Sequence, residues 1–503
     1  MRATVHRAIS LGIGAAAVLA ASGCDLGPDY HRPTLDIPAA YRAATGSAVT
    51  AWPATDWWRG FNSPELNSLI AQARRENFDL LAAIARVRQA DAQVRIAGAP
   101  LLPSLNATAD ANWTQESLAN FGRTGRGSTG NLDLRDYSAG LNASYVVDFW
   151  GKTLAARQAA VANAMFSRFD QQTVALTVVT SVASTWFNAL GFADQLTVAQ
   201  QNLADSEQTL AVIQGRLAAG TASALDVAQQ AALVAGVRAS IPSLRSQMEQ
   251  QIIGLGILVG KPPEAVTVRP GTLIALSLPD VAPGLPAALL ARRPDVASAE
   301  AQLIAANFEV KSARAAFFPQ VQLTGSAGFE SSALGLLFGP GAFLTTAAAV
   351  VTQPIFEGGA LRGQLEQAKG RRAELLADYR KAVVQAFTDV DNALVAWRYA
   401  TEQEALQRVA VATARRAAEI ARVQMAAGTA DVTTVLTAET TFYADEATLV
   451  QVRLARVQAL LSLYKALGGG WAQPPGPVPD QFPGLSPGAV PGSVALPIGG
   501  NVQ

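Results

Sequence analysis

The chain is a tandem duplication, and this constrains its fold more than any other feature. Ala218-Ala219-Gly220-Thr221-Ala222 returns unchanged as Ala426-Ala427-Gly428-Thr429-Ala430, 208 positions later. The same shift lays Leu258-Val259-Gly260 on Ala466-Leu467-Gly468. Upstream, Asp79, Ala83, Ala90, Val94, Ala97, Ala99 and Pro103 fall on Asp295, Ala299, Ala306, Val310, Ala313, Ala315 and Pro319 at a shift of 216. A repeat of roughly 200 residues is a duplicated unit, not a solenoid of small modules. Each half therefore builds the same arrangement once.

Each half carries a pair of strands with period 2. Leu105, Ala107, Ala109, Ala111 and Trp113 alternate with Asn106, Thr108, Asp110 and Asn112. Tyr137, Ala139, Leu141, Ala143, Tyr145, Val147 and Phe149 alternate with Ser138, Gly140, Asn142, Ser144 and Asp148. The Gly-, Ser- and Thr-rich stretch between them, 114–136, is expected to be a surface loop. In the second half Val321, Leu323, Gly325, Ala327 and Phe329 alternate with Gln322, Thr324, Ser326 and Glu330, and a weaker strand is expected over Phe343 to Phe356. Strands of about ten residues, apolar on one face and polar on the other, are the pattern of a transmembrane β-barrel. A half-buried soluble sheet would show the same alternation. Four strands cannot close a barrel, and open edges are not tolerated in a bilayer. The membrane reading therefore requires several chains to share one barrel.

A long helix is expected after each strand pair. Thr153 to Leu217 contains no proline, and neither does Gly363 to Ala427. About 65 residues at 1.5 Å each give roughly 95 Å of helix. Both end at the duplicated pentapeptide, where Gly220 and Gly428 can take the left-handed conformation that stops a helix. Thr221 or Ser223, and Thr429 or Asp431, can cap the returning helix, and Ser223 with Asp226 fits a capping box. The first return is expected over Ser223 to Gly260, kinked at Pro242. It and the helix of about 20 residues before the strands approach the length of the long helix. A stacked short pair beside each long helix would make a wall segment rather than a globule. Ser63 and Pro64 open the helical region as N-cap and first turn.

The N-terminus reads as an export signal. Arg2, His6 and Arg7 precede an apolar run over Ala8 to Ala20, too short to span a bilayer. Small residues then lead to Cys24, the only cysteine in the chain, in a pattern that resembles a bacterial lipobox. No stretch after it reads as a transmembrane helix, so any crossing must be by strands. The expected organisation is a signal peptide over 1–23, an extended segment over 24–62, a first repeat over 63–275, a second over 276–470, and a Pro/Gly-rich tail over 471–503. Net charge is zero, which gives no support to a nucleic-acid partner.

The residues offer no catalytic or metal centre. After Cys24 there is one histidine, His31, and no Cys/His cluster for zinc or triad for acyl transfer. Gly468-Gly469-Gly470 follows a helix instead of preceding one, so it is a terminator and not a phosphate cradle. Arg292-Arg293-Pro294-Asp295 is expected to be a solvated helix entry. The reading is of a chain that is not an enzyme and carries no cofactor.

Several motifs resemble the outer-membrane factor family, the TolC-like channels of tripartite pumps, in its NodT-type lipoprotein branch serving RND efflux systems. They are Cys24-Asp-Leu-Gly-Pro-Asp-Tyr30-His-Arg-Pro33, Trp57-Trp58-Arg-Gly-Phe61-Asn62, Asp148-Phe-Trp-Gly-Lys152, Leu289-Leu-Ala-Arg-Arg-Pro-Asp-Val296, Ala316-Phe-Phe-Pro319 and Leu463-Tyr-Lys-Ala-Leu-Gly-Gly-Gly-Trp471. The resemblance implies a homotrimer whose chains each give four strands to a twelve-stranded outer-membrane β-barrel, continuous with a periplasmic α-helical barrel. It implies lipidation at Cys24, although Asp25 resembles an inner-membrane retention signal of enteric lipoproteins. It also implies passive conduction of small toxic compounds or drugs, with energy supplied by an inner-membrane RND transporter and docking by a periplasmic adaptor. Family members gate and dock around the hairpin tips, here Arg216, Leu217, Gly220, Thr221 and Asp226, and Arg422, Gln424, Met425, Gly428, Thr429 and Asp431. The family's Tyr/Arg and Asp lock is replaced by Gln424, Met425 and Thr437, so Arg216, Arg422, Asp226 and Asp431 are the candidates for another. A type I protein-secretion duct and a periplasmic coiled-coil scaffold or adaptor are the alternatives.

Overall fold

A computed structural model describes residues 30–35, 37–42, 54–117, 131–268, 271–276, 278–279, 289–469 and 471. Cys24, the export signal and the tail after Trp471 lie outside the described residues. The main elements are helices α1 (Pro64–Glu76) and α2 (Phe78–Gly98), strands β1 (Ser104–Ser117) and β2 (Asn131–Val147), and helices α3 (Lys152–Ala218) and α4 (Ala224–Val259). The second half gives α5 (Pro294–Ala315), β3 (Gln320–Ser331), β4 (Phe343–Thr352), α6 (Ala360–Ala426) and α7 (Val432–Ala466). The two long helices are 67 residues each. The chain falls into two compact units that each draw on both repeats.

The first unit holds the strands as one antiparallel sheet in the order β1-β2-β3-β4. Its register aligns the alternating faces across all four strands. Leu105 pairs with Ala143, Ala143 with Gly325, and Gly325 with Ala347. One residue along, Asn106, Asn142, Ser326 and Thr346 form the polar row. Asn142 donates to Thr108 (2.9 Å), and Ser326 meets Thr346 at 2.6 Å. A single-residue slip would move every apolar side chain to the polar face, so the register is strongly specified. The first hairpin is longer than expected: residues 114–117 and 131–136, read as loop, are paired strand. Gln115 bonds Asp133 there, and their polarity, which suggested a loop, suits a strand end beyond the apolar band. β4 stops at Thr352 rather than reaching Phe356, because Pro354 has no N–H to continue a ladder.

The second unit contains an apolar core built from both halves. Trp57, Phe61, Leu66 and Ile70 pack with Val182, Trp186 and Phe187 of α3, Leu255 and Val259 of α4, and Leu460 and Tyr464 of α7. Trp57 stacks on Tyr464 with centroids 4.6 Å apart, and Trp186 donates to Glu65 (3.0 Å). Part of α3 is apolar enough to cross a membrane by length and composition, contrary to the sequence expectation; half of that stretch is buried, and it supplies this core. Ser63 accepts from Leu66 N–H as the cap of α1, and Pro242 lies inside α4, which continues past it.

The duplication is visible at one joint. Buried Asn77 accepts from Leu80 N–H (3.0 Å), capping α2, and donates to the Leu258 carbonyl (2.9 Å) at the end of α4. The repeat shifts carry Asn77 onto Arg293 and Leu258 onto Ala466. Arg293 donates to the Ala466 carbonyl (3.3 Å). It also bonds Asp295 (3.0 Å through Nε) and, 2.9 Å away, Asp389 of α6. Arg293 is therefore buried and fully engaged, not solvated as the sequence suggested, because the end of α7 closes over it. Beside each joint stands a left-handed glycine, Gly260 (φ 73°) or Gly468 (φ 69°). A Cβ there would lie 2.1 Å from the Glu76 carbonyl oxygen or 2.3 Å from that of Arg292.

Gly468→Ala is therefore expected to lower the heat stability of the purified protein clearly more than Gly220→Ala. Both positions share the left-handed cost of about 1–2 kcal/mol, but Gly220 has open space around it and Gly468 does not. Equal losses in a thermal-shift comparison would show that the joint yields freely.

Candidate functional site

The two hairpin tips are built alike. At the first, Thr221 N–H donates to the Arg216 carbonyl (2.8 Å) and Gly220 N–H to that of Leu217 (2.9 Å). At the second, Thr429 N–H donates to the Gln424 carbonyl (2.9 Å) and Gly428 N–H to that of Met425 (3.0 Å). Both are Schellman turns, with Gly220 at φ 74° and Gly428 at φ 76°. The hydroxyls of Thr221 and Thr429 reinforce the same carbonyls, each at 3.1 Å. The returning helices are capped by Ser223 and Asp431, and Ser223 with Asp226 forms the capping box. Ala218 to Thr221 and Ala426 to Thr429 stay exposed.

Of the candidate locking residues, the arginines cross-link and the aspartates do not. Asp226 bonds Ser223 N–H (2.7 Å), and Asp431 bonds Thr434 N–H (2.8 Å). The Thr434 hydrogen bonds hold the Asp431 carboxyl below the usual range. Arg216 reaches across to the second tip and donates to the Met425 carbonyl at 2.6 Å. Met425 is buried with Ile213, Ala421, Val432 and Val435 in a small apolar cluster shared by both hairpins, while Leu217 remains exposed.

Arg422 belongs to a buried polar node above that cluster. Its Nε donates to Glu439 (2.7 Å), its Nη2 to the Tyr443 hydroxyl (3.2 Å), and Asp205 lies 3.7 Å away. Glu439 is wholly buried and also accepts from Thr209 (2.8 Å) and Gln230 (3.3 Å). One carboxylate thus gathers side chains from α3, α4 and α6. Burial opposes the charge on Arg422, but the Glu439 hydrogen bond and charge raise its pKa on balance. Burial, then the charge of Glu439, pushes the Tyr443 phenol well above its ordinary value. Glu439 was not among the candidate residues. Its signal is its spacing: Val432, Val435, Glu439 and Phe442 follow a core stripe at intervals of three and four, with a carboxylate in an apolar place.

A model of the outer membrane efflux protein family matches residues 69–261 and 285–469. The chain belongs to that family. It is 40% identical over 438 residues to the pyoverdine export outer membrane protein OpmQ of Pseudomonas aeruginosa, covering 87% of this chain and 92% of that protein. It is 31% identical over 461 residues to the cation efflux system protein CusC of Escherichia coli, covering 90% and 97%. The open-state crystal structure of the Neisseria gonorrhoeae MtrE outer membrane channel matches with a TM-score of 0.80 at 28% identity, covering 89% of this chain and all but 2% of that one. The fold is that of the TolC-like channels, in which each chain gives four strands to a trimeric barrel. The family is one of outer-membrane efflux channels, and membership of it sets the scaffold and adaptor alternative aside.

Arg422→Met is expected to leave Glu439 buried without its counter-charge, at a cost of about 3–5 kcal/mol. Hydrogen exchange checks this: protection should fall across 203–232 and 418–445 and stay unchanged in the sheet. Unaltered exchange at the tips would show that Thr209 and Gln230 suffice to hold the carboxylate.

Proposed function

We propose that three copies of this chain, anchored through lipidated Cys24, form the passive exit duct of a tripartite pump. An inner-membrane RND transporter supplies the energy, and a periplasmic adaptor meets the hairpin tips. The observation that carries this reading is the paired tip. Two exposed turns of the same pentapeptide, with the same Schellman bonds, are joined within one chain by the Arg216 bond to Met425. Such a pair gives an adaptor a fixed docking geometry, and that bond is one a gate must relax. The cargo is a small molecule. The match to OpmQ, a pyoverdine export protein by its name, is at 40% identity against 31% for the cation efflux protein CusC, and this supports an organic cargo over a metal ion. So does the buried position of Met425, one of only three methionines after Cys24.

A deletion strain should become more susceptible to small organic toxicants, and a photo-crosslinker at Thr221 or Thr429 should capture the adaptor. Unchanged susceptibility with no capture would overturn the reading, and loss of a secreted protein instead would favour the type I duct. Arg216→Ala removes a charge-assisted hydrogen bond of about 1.5–3 kcal/mol and should raise single-channel conductance in planar bilayers. Unaltered conductance would remove Arg216 from the gate.

A further inference from the structure

The loop between β3 and β4 is apolar where a water-facing loop would be polar. No charged residue stands between Glu330 and Glu357. The loop turns through a short 3₁₀ segment, Leu334–Leu336, and returns at Gly339-Pro340-Gly341, where Gly341 has φ 95°. Leu334, Leu336 and Phe338 are 65%, 64% and 74% exposed, while Leu337 is buried. Three large apolar side chains on one short loop form a patch that needs a covering partner.

The ring contacts tell which way the loop folds. Phe329 pairs with Phe343 across the β3–β4 ladder, and their rings meet edge to face at 5.5 Å. The Phe338 ring packs on the same Phe329 ring at 5.3 Å. Phe329 shares its face with Leu323, Ala139 and Leu141, the apolar face of the whole sheet. The loop is thus pinned to the rim of the apolar face, not to the polar face that carries Ser326 and Glu330. The opposite end of that sheet has its own aromatic pair. Trp150 stacks on Phe318 at 4.8 Å and donates to the Pro319 carbonyl. From Phe318 to Phe329 is about 11 residues at roughly 3.3 Å, which a strand tilt near 40° reduces to about 28 Å. This matches the apolar band of about 25 Å between the aromatic girdles of outer-membrane barrels.

We propose that the Leu334–Phe338 loop is a membrane-docking element that inserts Leu334, Leu336 and Phe338 among the acyl chains of the outer leaflet. The face it continues is already the lipid-facing one, and a chargeless loop has no cation to pair with headgroup phosphates. It acts as a stop that fixes the depth of the barrel at its outer rim. The proposal rests on the membrane barrel and not on the identity of pump, adaptor or cargo.

Nitroxide depth measurement on the full chain in outer-membrane lipid vesicles tests it. Single labels go at Phe338→Cys and at Leu336→Cys, which lies outside the aromatic trio. Ala347→Cys on the apolar face and Ser326→Cys on the polar face are the references, and labelled parent chain is the baseline. The expected result is that positions 336 and 338 resemble 347, with collisions with oxygen favoured over a water-soluble nickel complex, and that 326 shows the reverse. Nickel accessibility at 336 and 338 with a lipid-exposed 347 would overturn the docking loop and leave the barrel intact. Shielding of 336 and 338 from both agents would assign the patch to a neighbouring copy and equally overturn it. Nickel accessibility at 347 as well would overturn the barrel reading with it.

Discussion

The open edges of the β-sheet govern this molecule. Among the described residues β1 and β4 are paired on one side only, and each leaves the backbone groups of its other edge without a strand partner. In water such an edge is a liability, and in hydrocarbon each lone group costs several kcal/mol. The aligned apolar faces commit the sheet to lipid, so the edges must be closed by other copies. The trimeric barrel of the family to which this chain belongs is one way of closing those edges. A single chain is an incomplete structure by its own hydrogen-bond accounting.

Duplication solves the architecture once and then lets the copies diverge. At the joint of the short helices, Asn77 and Arg293 occupy equivalent places and bond equivalent carbonyls. Asn77 does so as a neutral cap. Arg293 does so as a buried cation that must also hold Asp295 and Asp389. The tips follow the same rule. Their backbone turns share the same two Schellman bonds, while Arg216 in one becomes Gln424 in the other. Conserved geometry lies in the backbone, and asymmetry lies in the side chains.

The second unit buries carboxylates at two levels. Glu439 is held by Thr209, Gln230 and Arg422, and Glu404 by Arg408, Arg453 and Arg456. Burial raises the Glu404 pKa, but the three arginines outweigh it, so the carboxyl is held below its ordinary value. Such clusters add little net stability, since desolvation offsets much of the attraction. They fix one pairing among many on helices that are otherwise monotonous in Ala, Leu and Val. A helix slipped by one turn would leave a charge in the core without its partner.

The sequence by itself determined the elements. Period-2 alternation, proline-free runs and left-handed glycines act locally, so the strands, the long helices and the Schellman tips were legible from residue order. The repeat also showed that two copies of one plan had to be reconciled. Which polar side chains meet was decided only by tertiary structure. Arg293 looked solvated because nothing near it in sequence closes over it; the end of α7, some 170 residues on, does so. Asp226 and Asp431 were legible both as helix caps and as partners for the arginines, and the structure keeps the cap role. Glu439 stood in plain view on a core stripe, but its partners lie on three other helices. Pairing across such separations depends on how the helices pack, and the residue order along any one of them does not contain that information.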